Sequence, residues 1–303
     1  MRSPHTLAAV VLALGTGACS TAPVQTTRPA TWDDVQALPA ASVGERIAYG
    51  PDAKQFGDLR VPAGRGPHPV AILLHGGCWQ GEYDLAYFAH LGDQLAQAGI
   101  ATWSLEYRGI GDAGGGWPGT FEDVAAGAAH LRTLAQSHPL DLDRVALVGH
   151  SAGGQLALHL AARWLAPSLQ SPPAATPLPL RGVVTLAGIV DLRDYAAGSG
   201  SCNQSVVPLL GGTVDDVPER YAATSPIERL PIGVPLHLVI GTLDPIVTPA
   251  SNTRFAEQAR LNGDAVELDV IEGAGHFDLV MPEGVAAQRV RHAIQAMLRP
   301  GPK

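Results

Sequence analysis

Basic residues are scarce and nowhere clustered: Lys and Arg total 20 against 28 Asp and Glu, a net charge of −8. An acidic chain of this kind lacks the electrostatic footprint of a nucleic-acid-binding protein. Cysteine is equally spare, with three in 303 residues. No pair has C-x-x-C spacing and no histidine pair lies nearby, so neither a zinc site nor a disulfide framework is indicated, and no metal or cofactor is expected. Long apolar runs are missing too. The stretch Leu7 to Leu14 is far too short to cross roughly 30 Å of hydrocarbon. Aromatic side chains make up only 5% of the chain, so Trp79 and Trp117, each beside a glycine-rich loop, stand out.

What is present suits one α/β domain, because 46% of the residues are apolar and such folds routinely exceed 200 residues. Strands are expected at Glu45 to Tyr49, Phe56 to Val61, Val70 to Leu74, Ala101 to Leu105, Arg144 to Val148, Arg181 to Leu186, Pro235 to Gly241 and Val266 to Ile271. Helical periodicity falls between them, at Leu85 to Gln97, Phe121 to Ser137, Gln155 to Trp164, Pro249 to Leu261 and Val285 to Leu298. Strands alternating with helices indicate a mostly parallel central sheet flanked by helices, with ligands at the C-terminal strand ends. The irregular stretch Ala187 to Pro231 reads as a short cap after the sixth strand.

The segment Gly149-His150-Ser151-Ala152-Gly153 joins a strand to a helix by a turn that lifts a serine above the strand end. Composition alone gives about 0.2 chance occurrences of G-x-S-x-G, so the strand and helix on either side carry the specificity. A serine hydroxyl needs a base, and the base needs an acid. Asp244 follows the strand Pro235 to Gly241, and His276 lies in a glycine-flanked loop after Val266 to Ile271. The order Ser151, Asp244, His276 is that of α/β-hydrolases. Other readings stand beside these. Asp244 could be a turn or cap residue, Asp278 is a competing acid, and His150 would pack beside the nucleophile. Upstream, the strand Val70 to Leu74 ends in His75-Gly76-Gly77-Cys78-Trp79, whose Gly77 and Cys78 amides, with that of Ala152, would form an oxyanion hole. Trp79 either packs under this loop or walls the substrate pocket, and Trp117 is a second candidate for substrate binding.

With these pieces the chain resembles the α/β-hydrolase superfamily. H-G-G-C-W is similar to the H-G-G-x-W motif of kynurenine formamidases and related small bacterial esterases, as are Glu106-Tyr107-Arg108-Gly109 and Gly116-Trp117-Pro118-Gly119-Thr120. The resemblance implies a Ser151, Asp244, His276 triad in a serine esterase that cleaves small carboxylic esters through an acyl-enzyme. The alternative is an arylformamidase acting on amides of the N-formylkynurenine type. A non-enzymatic binder on the same fold is a third class. Cys78 replaces the third glycine of hormone-sensitive-lipase-type esterases, which argues against bulky tertiary-alcohol substrates. Whether Cys78 pairs with Cys202 is left open by the sequence.

The N-terminus reads as an export signal: a short positive start at Arg2, the apolar Leu7 to Leu14, and Gly17-Ala18-Cys19. The last three resemble a bacterial lipobox, which implies lipid on Cys19. The expected organisation is a signal peptide at 1–18, a tether at 19–40 and the hydrolase domain at 41–303. The expected location is the periplasmic face of a bacterial membrane, otherwise periplasmic or secreted. The expected partners are a small ester substrate, no nucleic acid, and a membrane only through Cys19.

Overall fold

The computed structural model describes residues 28–165 and 177–300, so the leader, Cys19 and most of the proline-rich stretch near Ala166 lie outside the described residues. Eight strands form one sheet: β1 (Glu45–Ala48), β2 (Phe56–Arg60), β3 (His68–Leu74), β4 (Ala101–Leu105), β5 (Leu140–His150), β6 (Leu180–Leu186), β7 (Leu236–Gly241) and β8 (Val266–Ile271). They lie in the order β1-β2-β4-β3-β5-β6-β7-β8. Pairing of β1 with β2 and of β2 with β4 is antiparallel, and every later pairing is parallel.

The central strands follow from composition. Val70 to Leu74 and Val145 to Val148 are unbroken aliphatic runs and are buried throughout, as strands covered by helices on both faces must be. β5 is longer than the aliphatic run because Leu140 already pairs with His68, with a register shift before the regular ladder begins at Val70 and Val145. The helical expectation Phe121 to Ser137 resolves into Gly119–Ala129 and Leu131–Leu134. After β6 the chain forms short helices, Leu192–Ala196, Ser201–Gln204, Val206–Leu210 and Pro218–Thr224, before entering β7. These make the cap.

The helix Ala152–Leu165 runs between β5 and β6 and is buried from Ala152 to Ala162. Its small residues let it lie close to the sheet. The stretch 28–40, expected to be tether, instead carries a helix, Trp32–Gln36. A capping box between Thr31 and Asp34 starts it, and Val35 is buried against the core.

His159 sits inside the long buried helix, with its Nδ1 3.1 Å from the Ala223 carbonyl and its ring edge-on to Phe121. Burial pushes its imidazole down from an ordinary 6.5 to about 3, and nearby Arg163 adds to the effect. The unfolded chain therefore takes up a proton near pH 6.5 that the folded chain refuses until about pH 3. The contribution of His159 to stability is fully present above about 6.5 and lost as the pH falls towards 3. Urea midpoints from pH 7 to 4 should fall less steeply for His159→Gln than for the unsubstituted protein; identical slopes would refute this account.

Candidate active site

Ser151 has φ of 56°, a left-handed conformation that a non-glycine residue adopts only when its surroundings hold it there. They do so here. Its amide donates to the Leu186 carbonyl at 2.8 Å, and its carbonyl accepts from Gly154 at 2.9 Å. A Cβ on Gly149 would stand 2.1 Å from the Gly153 carbonyl oxygen, and one on Gly153 would stand 2.1 Å from that of Leu74. Only glycine fits at either position, which is the physical content of the motif.

The loops after β7 and β8 meet beside this turn. Leu243 donates to the Ala274 carbonyl at 2.9 Å, Thr242 to that of Ile271 at 3.0 Å, and Gly273 to the Thr242 hydroxyl at 2.9 Å. Asp244 is fully enclosed. Its Oδ2 lies 2.7 Å from His276 Nδ1, and its Oδ1 accepts the amides of Ile246 and Val247, both at 2.8 Å. The two readings of Asp244 are thus compatible: one oxygen organises its turn while the other faces the histidine. Asp278 does not bond the His276 ring. Its Oδ2 accepts the Gly275 and Ala30 amides at 2.7 and 3.1 Å, which makes it a loop brace. Ser151 and His276 line one cavity of about 270 Å³.

Gly77 and Cys78 line the same cavity. Gly77, Cys78 and Trp79 have φ of 97°, 53° and 59°, so three successive residues are left-handed. The buttresses that hold this turn come from the Glu106-Tyr107-Arg108 stretch. The Tyr107 hydroxyl donates to the His75 carbonyl at 2.7 Å, and its ring stacks on the His75 imidazole with centroids 4.2 Å apart. His75 Nδ1 lies 2.8 Å from the Gly76 carbonyl. Among the described residues, none of the amides of Gly77, Cys78 and Ala152 donates a hydrogen bond within the chain. A disulfide joins Cys78 to Cys202 in the cap helix Ser201–Gln204, so this loop and the cap are covalently one unit.

Neither tryptophan proposed from the sequence reaches the cavity. Trp79 is fully buried behind the loop, where its indole N–H donates to Gln155 Oε1 at 3.0 Å; the Gln155 amide in turn donates to the Thr224 carbonyl at 2.8 Å. Trp117 packs on Phe121, and its amide donates to Leu209 of the cap at 2.7 Å. Both are structural supports. The walls are other aromatic residues, Trp32, Tyr83, Tyr87, Tyr195 and Phe277. No local pattern marks them, because they come from four separate stretches of the chain, Tyr83 and Tyr87 sharing one. The Tyr195 hydroxyl is buried without a hydrogen-bond partner among the described residues.

His150 also lines the cavity, with its ring centroid 4.6 Å from that of His276. Burial holds its imidazole well below the ordinary range, and the neighbouring His276 adds to this. A neutral ring has one N–H. Nε2 faces the His276 carbonyl at 3.2 Å and must donate, so Nδ1 accepts from the Tyr87 hydroxyl at 3.1 Å. Tyr87 in turn accepts the Gly76 amide. A chain of hydrogen bonds thus runs from the glycine loop through the elbow to the backbone of His276. Among the described residues no group of three or more His, Cys, Asp or Glu is placed to hold a metal ion.

Esterase LipC of Mycobacterium tuberculosis is 29% identical over 262 residues, which cover 84% of this chain and 64% of that protein. A probable isoprenylcysteine alpha-carbonyl methylesterase of Oryza sativa subsp. japonica is 26% identical over 270 residues, 82% of this chain and 60% of that one. The chain thus spans less than two thirds of the length of these curated relatives. Among solved structures, a thermophilic esterase from the Planctomycetes species Thermogutta terrifontis superposes with a TM-score of 0.67 at 21% identity, covering 84% of this chain and 91% of that one. Esterase B from Lactobacillus rhamnosis superposes with a TM-score of 0.71 at 18% identity, covering 85% and 88%. These likenesses show the α/β-hydrolase fold. Residues 58–259, most of the chain, match the BD-FAE family, and the protein belongs to that family.

Proposed function

We propose that this protein hydrolyses small carboxylic esters through an acyl-enzyme on Ser151. The observation that carries the reading is the convergence on one cavity of the strained Ser151, the Asp244-paired His276 and the Gly77–Cys78 loop. In the first step His276 Nε2 takes the proton of Ser151 Oγ as that oxygen bonds to the ester carbonyl carbon. Asp244 holds the other ring nitrogen in its N–H form and stabilises the imidazolium. The amides of Gly77, Cys78 and Ala152 receive the negative charge that develops on the carbonyl oxygen, each contributing about 3–4 kcal/mol to transition-state stabilisation. His276 then returns the proton to the departing alcohol, and water cleaves the acyl-enzyme by the same route in reverse. The modest, aromatic-walled cavity and the short cap favour small soluble esters over long acyl chains. The resemblance of curated relatives to this chain, two of them named esterases and one a methylesterase, supports ester over formamide hydrolysis.

We further propose export, with lipid on Cys19. The Cys78–Cys202 disulfide supports an oxidising compartment.

Ser151→Ala should lower kcat for p-nitrophenyl acetate by about 10⁵ to 10⁶ with the fold intact. Asp244→Asn should cost about 10⁴ because the imidazole adopts the wrong tautomer, and Asp278→Asn far less. Activity of folded Ser151→Ala above a tenth of the parent, or a reversed order of the two acids, would remove the triad assignment.

The double variant Cys78→Ser with Cys202→Ser should lose about 2–4 kcal/mol of stability in urea. Its kcat should drop by about ten- to hundredfold, since the oxyanion amides lose their fixed position. Unchanged kcat in the folded double variant would separate the disulfide from catalysis.

Cell fractionation tests the anchor: Cys19→Ser should move the protein from the membrane to the soluble fraction. Unchanged partitioning, or an unmodified Cys19 by mass spectrometry, rejects the lipid.

A further inference from the structure

The segment 28–36 is built into the rim of the cavity. Arg28 forks onto Asp34 at 2.6 and 2.9 Å, which braces the start of the helix Trp32–Gln36. The Ala30 amide donates to Asp278, the residue that also braces the loop carrying His276. From this position the Trp32 indole stands edge-on to Tyr83 and Tyr87, with centroids 5.4 and 5.6 Å away, and tilts against Phe277 at 5.7 Å.

Behind these rings lies a second cavity of about 470 Å³, which runs between the segment after the helix and strands β1 and β2, where Ser42, Arg46, Asp58 and Arg60 line it. The two cavities share three lining residues, Trp32, Tyr83 and Tyr87. Tyr87 is tied to Gly76 and His150, and Tyr83 packs against Gly77, where a Cβ would stand 2.4 Å from its own. Both therefore shape the catalytic loop. Trp32 instead makes its ring contacts with Tyr83, Tyr87 and Phe277, none of which belongs to the glycine loop or the elbow. It therefore borders both cavities from a segment that carries no catalytic group.

We propose that Trp32 is a specificity-determining residue, whose indole separates the catalytic cavity from the second cavity and thereby limits the size of the alcohol that an ester can carry. The side of the substrate follows from the proton transfer. His276 delivers its proton to the leaving alcohol, and Phe277, the next residue, packs its ring on Trp32 at 5.7 Å; that contact is the ground for assigning the indole to the alcohol side. This inference rests on ester hydrolysis at Ser151.

The test uses the whole mature protein and two substrate series. One varies the alcohol at constant acetate, from methyl through phenyl to 1-naphthyl. The other varies the acyl group of p-nitrophenyl esters from acetate to octanoate. In Trp32→Ala the ratio of kcat/KM for 1-naphthyl over phenyl acetate should rise by about tenfold or more, mainly through KM. The order within the acyl series should stay as in the parent. Trp32→Phe should fall between the two, and it also serves if Trp32→Ala does not fold. An unmoved alcohol ratio in whichever of these variants folds overturns the proposal, as does a shift confined to the acyl series. A parent enzyme inactive on every ester would instead overturn the Ser151 reading, a result distinct from an active parent with an unmoved ratio.

Discussion

Around the end of β5 the backbone is crowded to the point where no side chain fits: the Cβ positions of Gly149 and Gly153 each stand 2.1 Å from a carbonyl oxygen. That crowding sets the rest of the site. The chain must reverse within Ser151 itself, at a φ of 56°, and the helix Ala152–Leu165 must begin at once. Its start is wedged against the end of β3 through the Leu74 and His75 carbonyls. The left-handed backbone is costly, of order 1–3 kcal/mol. Burial of nearly the whole helix against β5 and β6 offsets that cost and keeps the hydroxyl where the strain puts it.

Three loops then have to be aimed at one point, and different physical links do this. The loops after β7 and β8 are stitched to one another by main-chain bonds and by the Asp244–His276 pair. The glycine loop after β3 is held from behind by His75, Tyr107 and Trp79, and from the front by the disulfide to the cap. The Tyr87 and His150 chain joins the two groups across the elbow. Tyr87 takes the Gly76 amide on one side and gives its proton to His150 on the other, while His150 bonds the His276 carbonyl. An imidazole kept neutral by burial suits this task, because it must donate at one nitrogen and accept at the other. A charged ring would leave Tyr87 facing a second donor.

Cap, N-terminal segment and core are accordingly not separable in this protein. The cap contributes Tyr195 and Cys202 to the cavity, the segment before β1 contributes Trp32, and the loop after β8 contributes His276 and Phe277. Within the described part of the stretch expected as tether, a capping box between Thr31 and Asp34 starts five helical residues, and Val35 is buried against the core.

The sequence by itself determined the strand and helix order, the elbow at Ser151, the acid and histidine after the seventh and eighth strands, and the glycine turn after the third. Each leaves a local mark: an aliphatic run, a turn that demands glycine, a polar residue at a strand end. The tertiary structure alone decided which side chains face the substrate. Trp79, two residues past Gly77, turns away into the core, where its indole N–H donates to Gln155, and Trp117 supports the cap. Trp32, more than a hundred residues before Ser151, borders the cavity instead. It also decided the partner of Cys78, since the Cys78–Cys202 contact spans a sequence separation of 124. Local patterns record how a residue bends or pairs its own backbone. Which distant rings share a wall depends on how the crossovers and the cap bring loops together at one edge of the sheet.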